Sequence, residues 1–90
     1  MKIKFSEYFN NKLENQVRFI AKDKPLAARK FKRDLLTTIR ETKKMPYSYR
    51  KSIFADNDDV RDLIFKGYCI TFKITKDSIL VFGFNKYQDC

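Results

Sequence analysis

No histidine occurs among the 90 residues of this chain. That absence removes a Ser-His-Asp triad, a Cys-His pair and most zinc sites at once. The two cysteines, Cys69 and Cys90, have neither metal-ligand spacing nor the pattern of a disulfide framework. Cys69 has no partner base in view and reads as a small buried apolar residue. Cysteine usage of this kind suits a reducing cytoplasm. Asp56-Asn57-Asp58-Asp59 is acidic enough to suggest calcium, but the alternating ligands and closing Glu of an EF-hand are missing, so it reads as a solvated turn. No metal and no cofactor is expected. Tyr68 lies in an apolar alternation and reads as a core aromatic rather than a catalytic acid.

What remains for chemistry is positive charge. Twenty Lys and Arg face eleven Asp and Glu, a net charge of +9, and such an excess favours an anionic partner. Arg61 either pairs with Asp59 or Asp62 or belongs to a binding face. Lys86 and Tyr87 either grip a target or form a solvated chain end. Arg29, Lys30, Lys32, Arg33, Arg40, Lys43 and Lys44 crowd one stretch against only Asp34 and Glu41. Together with Arg50 and Lys73, these are the candidate contacts to a partner.

The elements that must carry these groups follow from periodicity. Lys2-Ile3-Lys4-Phe5 alternates as a short strand, and Ser6 is a natural N-cap for a helix whose stripe is Phe9, Leu13, Val17 and Ile20. Pro25 opens a second helix, expected to run to about Lys44, with Ala28, Phe31, Leu35, Ile39 and Thr42 along one face. Two helices joined by so few residues form an antiparallel hairpin. After Met45-Pro46 the pattern is least regular, with a short strand expected at Ser52-Ile53-Phe54-Ala55. Val60 to Phe65, Tyr68 to Ile74 and Ile79 to Phe84 then read as consecutive strands, turning at Lys66-Gly67 and at Thr75 to Ser78. The last strand is apolar on both faces, which predicts an internal strand covered on each side. No signal peptide is expected, and no apolar run is long enough to span a membrane. The expectation is one α+β domain over residues 1–90: a short N-terminal strand and an antiparallel helical hairpin packed on a three- to four-stranded antiparallel sheet.

Several stretches, in this order, resemble the RelE/ParE toxin superfamily of type II toxin–antitoxin systems. Asp23-Lys24-Pro25-Leu26-Ala27-Ala28-Arg29-Lys30-Phe31 is similar to the start of that family's second helix, and Pro46 with Arg50 to its following Pro…Arg pair. Val60-Arg61-Asp62-Leu63 and Lys66-Gly67-Tyr68-Cys69-Ile70 resemble its sheet motifs. The resemblance implies a cognate antitoxin, assembly into a higher-order toxin–antitoxin oligomer, and one of two targets. RelE-type members cut messenger RNA on the ribosome, and for such an enzyme Arg61, Lys86 and Tyr87 would be the catalytic candidates. ParE-type members poison DNA gyrase by contact, slowing growth and stabilising plasmids. Here Val60, Asp62 and Cys69 stand where the nucleases resembled carry basic residues, so the ParE branch is favoured. A remnant that binds antitoxin without toxicity is the third alternative.

Overall fold

Ser6 ends one element and starts the next: its Oγ accepts a hydrogen bond from the Phe9 amide at 3.0 Å, the N-cap geometry that satisfies an otherwise orphaned helix donor. The computed structural model describes all 90 residues, Met1–Cys90. Strand β1 is Lys2–Phe5, helix α1 Glu7–Ala21 and helix α2 Pro25–Glu41. A short 3-10 turn at Pro46–Ser48 precedes β2, Arg50–Lys51; β3 is Val60–Phe65, β4 Tyr68–Ile74 and β5 Ser78–Lys86. A last 3-10 turn spans Tyr87–Asp89.

The two helical stripes meet the sheet as their periodicity predicts. Phe9, Leu13, Phe31, Leu35 and Ile39 share one core with Leu63, Phe65, Ile70, Phe72, Ile74, Ile79, Val81 and Phe84. Phe31 sits between Phe65 and Tyr68, with ring centroids 5.8 Å and 5.5 Å away. Helix α2 stops at Glu41, short of the expected Lys44. Lys43 and Lys44 donate to carbonyls three residues back, the tightened geometry of a last turn ahead of Pro46, whose preceding residue resists the helical region.

The sheet corrects the expectation in strand number and direction. It has five strands, in the order β1-β5-β4-β3-β2, and it is mixed. Strand β1 runs parallel to β5, Lys2 opposite Ser78 and Phe5 opposite Val81. Alternation marks a strand but carries no record of its partner, and this pair is separated by most of the chain. The expected strand at Ser52 to Ala55 is instead the two-residue β2 just before it, and Ile53 and Phe54 are exposed in a turn. Pairing ends there because the chain leaves the β3 edge after Ser52, whose amide donates to the Val60 carbonyl.

The β3–β4 hairpin turns on Lys66 and Gly67, with φ of 46° and 84°. Both central residues are left-handed, the twist that matches two paired strands. Strand β5 is internal as expected, yet only one of its faces is covered by helices. On the other, Phe82 is exposed and Leu80 half-buried. That open face carries the groups of interest.

Candidate functional site

Four residues stand in register across the open face: Arg50 opposite Asp62, Asp62 opposite Thr71, and Thr71 opposite Gly83. The row works from its glycine outward. A Cβ at position 83 would lie 2.8 Å from the Thr71 Cβ, so only glycine lets the threonine lie flat across β5. Thr71 Oγ1 donates to Asp62 Oδ1 at 2.8 Å. The other carboxylate oxygen, Oδ2, has no hydrogen-bond partner, although Arg50 Nη2 lies 3.3 Å away as an ion pair. The Asp62 side chain is completely buried and that of Arg50 is 41% exposed. The centre of this face is therefore an acid shielded by one edge arginine.

Cys69, on the same face of β4 as Thr71, is bonded through its sulfur to Cys90. This corrects the reading of two unrelated cysteines. Their spacing in the chain gave no sign of pairing, because the register of β4 with β5 and the turn at Tyr87–Asp89 bring the chain back over Cys69. Arg50 Nη2 also reaches Cys90 Sγ at 3.3 Å, and its guanidinium lies 5.7 Å from the Tyr87 ring centroid.

Beside the polar row runs a groove of about 480 Å³, with Val60, Thr71 and Gly83 among its lining residues. Tyr8 from α1, Phe54 from the loop after β2 and Phe82 from β5 line it with exposed aromatic surface. No motif pointed to these three residues. The available signals were a glycine interrupting an apolar strand, which marks close backbone approach, and apolar residues in a segment too irregular to bury them.

The structure separates the three residues proposed for catalysis. Arg61 is neither paired with a carboxylate nor free. Its Nε donates to the Asp58 carbonyl at 2.8 Å, and its Nη1 donates to the carbonyls of Tyr47 and Tyr49 at 3.2 and 2.9 Å. It braces the loop before β2, with Tyr47 stacked 5.1 Å from its guanidinium. Asp59, one of its two expected partners, instead accepts from the Tyr47 hydroxyl at 2.6 Å. That bond holds the phenol proton and raises the Tyr47 pKa above its ordinary value. Asp58 is ion-paired with Lys51 at 2.6 Å, which lowers its pKa, mainly through that hydrogen bond.

Lys86 is exposed and lines a second groove of about 440 Å³ with Lys12, Gln16, Phe19 and Tyr68, on the side facing α1. Tyr87, next in sequence, turns toward Arg50 instead. Lys73 is exposed at the far end of β4, opposite Val60 and Leu80. On α2, Arg29 and Arg40 are exposed with no ion pair, while Arg33 shares Asp34 with Lys30. Lys30 donates to Asp34 at 2.6 Å and is the main cause of that carboxyl's lowered pKa. Lys32 bridges to Glu14 of α1 at 2.7 Å. Part of the basic face thus ties the hairpin together, and Arg29 and Arg40 stay exposed and unpaired.

Comparison with known proteins adds two findings. The family model described as the ParE toxin of the type II toxin–antitoxin system parDE matches residues 3–86. A solved structure titled as the chromosomal ParDE toxin–antitoxin system from P. aeruginosa superposes with a TM-score of 0.77, covering 96% of this chain and 95% of that one at 13% identity. A search of curated protein sequences gives no significant match.

Proposed function

Because the chain belongs to the ParE toxin family of type II toxin–antitoxin systems, we propose that it inhibits DNA gyrase by protein contact and is neutralised by a cognate antitoxin. Growth inhibition in the cytoplasm, and stabilisation of a plasmid that encodes the pair, follow from that reading. The observation that carries it against RNA cleavage is the buried acid at the centre of the open sheet face. Cleavage by a 2′-hydroxyl builds negative charge on the phosphate, and catalysis needs cations placed where that charge develops. Asp62 occupies that centre, Arg50 is tied to it, and Arg61 is held through Nε and Nη1 by loop carbonyls. Losing one such contact costs about a hundredfold or more in rate. Contact inhibition needs none of them.

A protein partner suits what the surface offers. The aromatic groove of Tyr8, Phe54 and Phe82 gives apolar anchorage, and the +9 charge attracts an acidic segment. Two assays test the proposal on the purified chain. Added to gyrase with supercoiled plasmid, it is expected to trap linear DNA; added to ribosomes carrying messenger, it is expected to leave the message intact. Discrete cuts in the message that vanish in Lys86→Ala would overturn the gyrase reading and restore the nuclease. No effect in either assay would leave an antitoxin-binding remnant.

A further inference from the structure

We infer that Asp62, Cys69 and Cys90 form a redox-gated site for one zinc ion, closed when the two sulfurs are bonded to each other and open when they are reduced. The carboxylate oxygen and the two sulfurs all lie within 4.8 Å of one another. Two observations point to a ligand there. The Asp62 side chain is fully buried, with Oδ2 lacking any hydrogen-bond partner. Its other oxygen is held by Thr71 Oγ1 at 2.8 Å, the outer hydrogen bond that orients a ligating carboxylate and leaves the second oxygen for a metal. Two thiolates and one carboxylate select a borderline-soft cation such as zinc over calcium or magnesium, and three protein ligands leave the fourth tetrahedral position to water.

The obstacle is Arg50, whose Nη2 stands 3.3 Å from both Asp62 Oδ2 and Cys90 Sγ. It lies on a two-residue edge strand with its side chain partly exposed, so withdrawal toward solvent and the Tyr87 ring needs no change in the core. Charge also balances: one divalent cation against three anionic ligands leaves a single negative charge for Arg50 to neutralise from outside. In the disulfide state Arg50 balances Asp62 alone.

Opening the site is a two-electron step. A cellular dithiol gives two electrons and two protons to the Cys69–Cys90 bond, becoming a disulfide itself and leaving two thiols. Zinc then displaces the two thiol protons, which pass to solvent. In a reducing cytoplasm, where protein disulfides are rarely maintained, the open form is the one to expect.

The test uses the full chain, oxidised and reduced. A trialkylphosphine reduces it: the phosphine takes oxygen from water and becomes its oxide, and the two thiols keep the protons. After desalting under argon, cobalt(II) is added as a spectroscopic stand-in for zinc. The reduced chain is expected to bind one cobalt with thiolate-to-metal charge-transfer absorption, displaced by zinc, and the oxidised chain to show no such band. Cys90→Ser alters a partly exposed position, and circular dichroism checks that it folds; it should lose band intensity and bind about tenfold or more weakly. Asp62→Asn keeps both sulfurs and should weaken binding similarly. A reduced chain without the band would overturn the inference. So would affinity unchanged in Cys90→Ser, or a band and affinity unchanged in Asp62→Asn.

Discussion

At the scale of single residues, two contacts make measurable claims. Gly83→Ala would push a methyl group to 2.8 Å from the Thr71 Cβ. The clash is with a branch-point atom rather than a flexible tip, so β4 and β5 must separate locally. The expected loss is about 1–3 kcal/mol in denaturant melts, the usual cost of overpacking. Thr71→Ser in the same background should not recover it, because serine keeps the offending Cβ. Tyr47 supplies the second claim. Its pKa is raised by the bond to Asp59, so that bond's stabilisation is present at neutral pH, below the unfolded value of about 10, and disappears as pH rises through the higher folded value. In an alkaline absorbance titration, Tyr47 should ionise late, and Tyr47→Phe should remove that late phase. If Asp59→Asn left the profile unchanged, the assigned cause would be wrong. The sequence offered a glycine inside an apolar strand but not its neighbour Thr71, and no sign of the Tyr47–Asp59 bond. An aspartate in an alternating strand announces a face, but not that Thr71 and Arg50 would stand beside it.

The elements were far more legible than the contacts. Ser6 and Pro25 mark the helix starts through capping and φ preference, and Phe9 to Ile39 fix which faces are apolar, because those rules act over a few residues. Lys66-Gly67 marks the hairpin for the same local reason. What local rules leave out is assembly: the parallel β1–β5 pair, the length of β2, the uncovered second face of β5, and the return of Cys90 to Cys69 all join distant parts of the chain. The helix–sheet seam is the most direct test of the legible part. Phe31 is buried against Phe65 and Tyr68, so Phe31→Asp would place an unpaired carboxylate between them and is expected to abolish the cooperative melt. The milder Phe31→Ala should cost about 3–5 kcal/mol, a large share of a small domain's stability. A Phe31→Asp chain that melts like its parent would mean that α2 has been placed in the wrong rotational phase.

For the whole molecule, charge is the property that no element holds alone. Intrachain ion pairs absorb some of the basic side chains, but an excess of +9 cannot be neutralised within the chain. It is available for long-range attraction. Association with the proposed antitoxin, if through an acidic segment, should therefore slow as salt rises, because screening removes steering. Stopped-flow mixing at several ionic strengths measures this, and an on-rate indifferent to salt would show that apolar docking alone controls encounter. Arg29→Glu with Arg40→Glu should flatten the salt slope without changing the melt, since both arginines are exposed and unpaired.

The parallel pairing of β1 with β5 has a bearing on how the chain comes into being. Lys2 leaves the ribosome long before Ser78, its partner across the sheet, and must wait for it. Until β5 emerges, the sheet lacks its internal strand: β1 has nothing to pair with, β4 presents a bare edge, and the helical stripes have no Ile79 or Val81 to close on. The helices and the β3–β4 hairpin can form early, since their contacts are local, but the long loop between β1 and β5 must be closed last and at an entropic cost. A nascent chain stopped before Ser78 therefore has no complete core and no finished open face. The surface that a partner would meet is therefore complete only after synthesis of that strand is done.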